Sequence, residues 1–371
     1  MKEILINSGE DAYKQIADLT GRLFETGVIN HLMYPRLSNS GDTAFQALVK
    51  NPSAVLNQAL FLPVMPVNSA RTVSGFSFRR FGQPVGIIVR PCEARAVIEL
   101  IKMKQIERSD VVIITIDCMG ILDPARFRAA SAKYQSAAEL SAENISAYRS
   151  GSALFPERLR KSCSVCVTPS FPGDIHIGLI GVKEGIYVSM EEGIAEKLKA
   201  EEAPAGGFSV RADIMAALIK KKEAEKEALI SAFKEKIRDI GGFLKEFSTC
   251  MRCYNCRVAC PICYCRECIF ETKVFEHPAS SFKKMLEKKE AMKLPPDTLL
   301  FHLTRLNHMG FSCVSCGYCS SACPNELPVF ELFLALGEDI KKLFGYAPGR
   351  SLSDELPLTV FREEELETFE S

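Results

Sequence analysis

No sign of charge dominates this chain: 46 lysines and arginines balance 46 aspartates and glutamates across 371 residues. Without net charge or strong basic clusters, the composition argues against a nucleic-acid-binding surface. The longer apolar stretches contain or adjoin charges, and none approaches the ~20 residues of a spanning helix. The opening residues, MKEILINSGEDAY, lack the apolar run and small-residue cleavage site of a secretory signal, so a soluble cytosolic protein is the expectation. No G-x-G-x-x-G opens a helix and no G-x-x-x-x-G-K-[ST] occurs, which leaves a Rossmann nicotinamide site or a nucleotide-hydrolysing loop unsupported. The five histidines are scattered, and no Ser/His/Asp set is visible. Tryptophan is absent, which decides nothing.

Cysteine is the opposite case. The chain holds 15, too many for an ordinary cytosolic protein, and nothing sends it to a compartment where disulfides would persist. Cys250, Cys253, Cys256 and Cys260, followed by Pro261, read C-x2-C-x2-C-x3-C-P. Cys313, Cys316, Cys319 and Cys323, followed by Pro324, repeat the pattern. This is the bacterial ferredoxin run, in which the fourth cysteine of each run serves the other cluster. Three thiolates at this spacing wrap one face of a cubane, and the proline then redirects the chain. The expected ligand sets are Cys250, Cys253, Cys256 and Cys323 for one [4Fe–4S] cluster, and Cys313, Cys316, Cys319 and Cys260 for a second. Zinc ribbons use paired C-x-x-C instead.

Seven cysteines remain. VGIIVR, PCEARAVIELIKMKQ and VVIITID read as strand, helix and strand, a βαβ unit with parallel strands. Cys92 lies just past the first strand at a helix N-terminus, and Cys118 just past the second. Both are expected at the same sheet edge, where open α/β sheets bind ligands. CSVC adds Cys163 and Cys166, giving the four thiols that a third cluster needs; the plainer alternative is small, buried, unligated residues. Cys263, Cys265 and Cys268 extend the first run. They are either a further metal site, completed by a residue such as His277 or by a partner, or a replacement ligand upstream, or packed thiols.

Helices are expected over DAYKQIADLTGRLFETGVI, TAFQALVKNPSAVLNQALF, residues 125–160, residues 213–247 and after Pro328. PVMPVNSARTVSGFSF reads as an extended loop, DIHIGLIG and GIYVSM as strands, and APAGG at 203–207 as a break.

The segments PVMPVNSA, VRPCEARAVIELIKMKQ, IDCMG and CSVC…DIHIGLIG resemble the coenzyme F420 hydrogenase/dehydrogenase beta-subunit family, over about residues 15–200. The resemblance implies an FAD-binding α/β domain with an iron–sulfur cluster beside the flavin, and makes Cys92, Cys118, Cys163 and Cys166 the ligands of that cluster. It also directs attention to Asn68, Ser69 and Arg71 in PVNSAR, and to Arg90, Glu93 and Arg95 in RPCEAR, as flavin contacts. Their plain alternative is an ion pair across a helix start and a turn capped by Asn68. Here the ferredoxin module follows the flavin domain, whereas many relatives carry it first. The expected fold is α/β with a partly parallel sheet over residues 1–210, a connecting helix over 211–248, a dicluster ferredoxin-like domain over 249–345 and an acidic tail over 346–371. The implied function is an electron-transfer subunit of an anaerobic oxidoreductase complex. Its partners would be formate dehydrogenase, hydrogenase or heterodisulfide-reductase-like subunits and a soluble hydride carrier. A flavin-free iron–sulfur relay is the alternative.

Overall fold

A computed structural model of the chain describes residues 1–7, 11–50, 60–77, 84–201, 208–276, 278–290 and 297–360. The APAGG break, His277, residues 51–59 of the second expected helix and the end of the acidic tail lie outside these residues. Two compact units form, Met1–Glu227 and Ala228–Ser371. Their boundary falls inside one helix, Ser209–Lys236.

The first unit is built on a seven-stranded sheet. Its strands are β1 (Lys2–Ile6), β2 (His31–Leu37), β3 (Ala44–Val49), β4 (Val85–Val89), β5 (Val111–Ile116), β6 (Ile175–Gly178) and β7 (Ile186–Met190). They lie in the order β1-β7-β6-β5-β4-β2-β3. β2, β4, β5 and β6 are parallel, and the remaining pairings, β2 with β3, β6 with β7 and β7 with β1, are antiparallel. All five residues of β4 are buried, as a continuous apolar run inside a parallel sheet requires. Helix Ala12–Glu25 starts at Asp11, whose carboxylate accepts from the Tyr13 and Lys14 amides, and it buries Ile16, Leu19 and Leu23 at helical spacing.

Two sequence expectations change here. Ala44–Val49 is not helical but extended, paired with β2 from Leu32↔Val49 to Leu37↔Ala44. The turn between them decides this. The Ser38 amide donates to the Thr43 carbonyl, Gly41 takes a left-handed φ of 73°, and the Asp42 carboxylate accepts from the Ser38 and Ser40 hydroxyls. A hairpin turn of this kind outweighs the weak helical spacing that follows it. The extended PVMPVNSA loop ends earlier than expected, and Ser69–Ser77 is a helix. Asn68 begins it by accepting the Ala70 amide on its side-chain oxygen.

The second unit contains no strand among the described residues. Its helices include Ile240–Glu246, Thr298–Met309 and Val329–Phe344, with single helical turns at Asn255–Val258 and Tyr318–Ser321. No helix among the described residues is long and apolar enough to cross a membrane.

Candidate iron–sulfur centres

In the sheet unit, the register Val89↔Thr115 fixes two cysteines. Cys92 and Cys118 each stand three residues beyond it, at the carboxyl ends of neighbouring parallel strands. The CSVC loop is stitched to the same edge: the Cys118 amide donates to the Pro169 carbonyl, the Arg160 amide to Ile121, and the Cys163 amide to Arg160. Gly120, at φ +112°, permits this approach, since a Cβ there would lie 3.1 Å from that of Cys163 and 2.9 Å from Leu159. Lys222 adds a tie from its own helix, donating to the Cys163 carbonyl at 2.7 Å.

Burial pushes the Cys118 thiol up to about 12; Arg90 opposes this, while Cys163 and Cys166 push it further. Burial raises Cys163 too, against Arg160. Thiols that burial and mutual repulsion keep from ionising suit a cationic cluster core, which would take them as thiolates. Cys118 lies within electrostatic reach of Cys163 and Cys166, and thiols of this kind would suit an iron–sulfur cluster.

The six residues considered for flavin contacts divide. Asn68, Ser69, Arg90 and Glu93 are buried and bonded within the protein. Glu93 accepts the Ser69 amide at 3.1 Å and hydroxyl at 2.7 Å on one oxygen, and the Arg90 amide at 2.8 Å on the other. Arg90 spans to the carbonyls of Leu62 and Val64 at 3.0 and 3.3 Å. These four residues lock the 60–69 loop against the helix that carries Cys92. Arg71 and Arg95 are partly exposed. A separate cavity of about 720 Å³ adjoins the cysteine edge, lined by Met119, Leu159 and Ser164 and by Ile214, Leu218, Lys221 and Lys222.

The helical unit has two cysteine-lined pockets. The first is walled by Cys250, Cys253, Cys256 and Cys323, with Phe301 and His302. The second is walled by Cys260, Cys313, Cys316 and Cys319, with Arg305, Phe330 and Phe333. Each takes three cysteines from one run and the fourth from the other.

The backbone repeats as faithfully as the spacing. Arg252 and Tyr254 are left-handed in the first run, at φ 54° and 61°. Ser315 and Gly317 are left-handed at the equivalent positions of the second, at φ 58° and 75°. Non-glycine residues hold this conformation at a cost of ~1–2 kcal/mol each. Left-handed residues beside a cysteine belong to the backbone nests that hold anionic groups. After Tyr254 and Gly317 come matching single helical turns, carrying Cys256 and Cys319. Asn325 ties the end of the second run to the Thr249 carbonyl, and Arg252 pairs with Asp297 before helix Thr298–Met309.

Sequence reading missed two residues on that helix. Arg305 donates to the Cys256 sulfur at 3.2 Å, and the ring of His302 lies 3.4 Å from the Cys250 sulfur. Burial, with Arg305 adding to it, lowers His302 to a pKa of about 3, so the ring is neutral. The available signal was a histidine and an arginine three apart on an otherwise apolar helix face between the two runs.

Among the described residues, no three His, Cys, Asp or Glu converge tightly enough for a single metal ion. The two pockets are ringed by sulfur, which suits a cubane, a larger group than an ion. The further metal site considered at Cys263, Cys265 and Cys268 gains no support: Cys263 is buried, Cys265 is exposed, and none of the three lines either pocket.

No protein-family model matches the chain. It is 25% identical over 389 aligned positions to the F420-dependent formate dehydrogenase subunit beta of Methanocaldococcus jannaschii, covering 94% of this chain and 97% of that one. It is 28% identical over 307 positions to the F420-dependent formate dehydrogenase 1 subunit beta of Methanococcus maripaludis, covering 74% of each. A chain of the F420-reducing [NiFe] hydrogenase complex from Methanosarcina barkeri superposes with a TM-score of 0.47 at 12% identity, over 65% of this chain and 94% of that one. Similarity over 94% of the chain to the first formate dehydrogenase subunit, and over 74% to the second, supports the resemblance to the coenzyme F420 hydrogenase/dehydrogenase beta-subunit family.

Proposed function

We propose that this chain is the electron-transfer beta subunit of a multi-subunit oxidoreductase. In this role it passes electrons between a soluble hydride carrier, met in the sheet unit, and partner redox subunits. The observation that carries the proposal is the crossed lining of the two pockets, three cysteines from one run and one from the other. Two ferredoxin-type [4Fe–4S] clusters are its natural occupants. A third would be held by Cys92, Cys118, Cys163 and Cys166.

A bound FAD would supply exchange between two-electron hydride chemistry and the one-electron chemistry of the clusters. The residues that would hold it are those of the cavity beside Met119 and Ser164, where Lys221 and Lys222 offer cations for its phosphates. Asn68, Ser69, Arg90 and Glu93 would position that edge from within, and Arg71 and Arg95 remain the direct contacts proposed from PVNSAR and RPCEAR. The relatives are named for F420 and formate, so a deazaflavin is the first carrier to test and formate the first reductant, with a formate dehydrogenase catalytic subunit as the proposed partner.

Anaerobically purified protein tests this. Three clusters require about twelve irons and as many acid-labile sulfides per chain, with one flavin released on denaturation. Clusters without flavin would establish the relay alternative. Zinc without sulfide would end the redox reading.

A further inference from the structure

Arg305 is a buried guanidinium, 5% exposed, on helix Thr298–Met309. Among the described residues it forms no ion pair with a carboxylate. One of its nitrogens donates to the Cys256 sulfur and another to the Cys256 carbonyl, both at 3.2 Å. The rings of Phe301 and Phe333 lie 5.6 and 5.1 Å from its central carbon. The same side chain also lines the other pocket, the one walled by Cys260, Cys313, Cys316 and Cys319. It therefore touches a cysteine of one set while facing the cavity of the other.

Burying a cation without a counterion is strongly unfavourable. Among the described residues, the groups beside it that could carry negative charge are the cysteines, as the thiolates of bound clusters. Cys256 accepts its hydrogen bond, and Cys260 and Cys319 wall the pocket that it also lines. We propose that Arg305 is a positioning residue shared by the two clusters of the helical unit, compensating the charge of both and raising the reduction potential of each. This inference rests on the two-cluster reading above. A cluster held there would be anionic through its four thiolates, and one-electron reduction by the carrier side would add negative charge to it. A fixed cation beside both centres favours the reduced state of each. The hydrogen bond to Cys256 makes the effect larger on the cluster of Cys250, Cys253, Cys256 and Cys323. Hydrogen bonding to cluster sulfurs and local charge are established determinants of such potentials.

The test is an anaerobic redox titration of the holoprotein followed by EPR, comparing wild type with R305M and R305K, each assayed for iron and sulfide. R305M, with its clusters intact, should lower both potentials. The shift should be tenfold or more in the one-electron equilibrium for the Cys256-side cluster, which is 59 mV, and smaller for the other. R305K keeps the charge but not the two-pronged geometry, and should lower mainly the Cys256-side potential. Unchanged potentials in R305M with full iron content would overturn the proposal. Should R305M fail to fold, unchanged potentials in R305K would overturn it equally. Wild-type protein without iron and sulfide would instead remove the two-cluster reading itself.

Discussion

The two units place their cysteines by opposite means. In the sheet unit, Cys92 and Cys118 ride on the ends of β4 and β5, whose positions follow from a core of Ile88, Ile114, Ile116 and their neighbours. The CSVC loop is then bonded to that edge through main-chain groups. In the helical unit the cysteines sit in loops and single helical turns, which have no stability of their own, and they wall two pockets. On the proposed cluster reading, the sheet unit would fold before metal arrives and the helical unit would be organised around it. The two should part company when iron is removed.

The largest expected effect follows from that. Anaerobic chelation of iron should leave the amides of β4 and β5 protected from hydrogen exchange and strip protection from Asn255–Val258, Tyr318–Ser321 and helix Val329–Phe344, because metal affinity in such a unit is folding free energy. Retained protection in Val329–Phe344 after full iron loss would show that both units stand alone, and the contrast would collapse.

Paired substitutions sharpen it next. Cys260→Ala with Cys313→Ala removes two cysteines of one pocket and should cost about four irons. Cys260→Ala with Cys250→Ala strikes both pockets and should cost about eight. If each run instead held its own cluster, the outcomes would exchange. Iron analysis with EPR of the reduced protein distinguishes them.

The sequence was most readable where chemistry is local. The two runs and their prolines announce the crossed sets because ligand spacing is short-range and strict. VGIIV and VVIIT read as buried strands because both faces are covered. Other features depend on partners far along the chain. KEILI becomes β1 only by pairing with β7, more than 180 residues later. AFQALV becomes β3 because the SNSGDT turn folds it against β2. Arg305 carries no motif at all, and its meaning comes from the two runs that the fold brings around it.

The sheet unit has its own buried charge. Burial alone would push the Asp117 carboxyl upward, but hydrogen bonds from Arg211 and His176 and the Arg211 charge outweigh it and hold the group well below the usual carboxylate range. Arg211 donates to both carboxylate oxygens, at 2.7 and 2.9 Å, and the Leu179 and Ile180 amides donate to one of them. Asp117→Asn leaves a buried guanidinium without its anion and should cost about 3–5 kcal/mol. Urea unfolding followed by β-sheet circular dichroism should show the loss, while the EPR signals of the Cys250 and Cys313 sets persist. Loss of those signals as well would mean that the units do not respond separately.

The smallest effect separates framework from cofactor contact. Asn68 is fully buried and accepts the Ala70 amide at 3.0 Å, so it acts as the cap of helix Ser69–Ser77. Serine can make the same bond and alanine cannot. Asn68→Ala should therefore destabilise the sheet unit by ~1 kcal/mol, while Asn68→Ser keeps most of that stability, and both should retain flavin at the wild-type ratio. A flavin contact would reverse the pattern, with both variants losing flavin whatever their stability. The stability difference alone would then say nothing about the cap, so melting temperature and flavin content need to be measured on the same preparations.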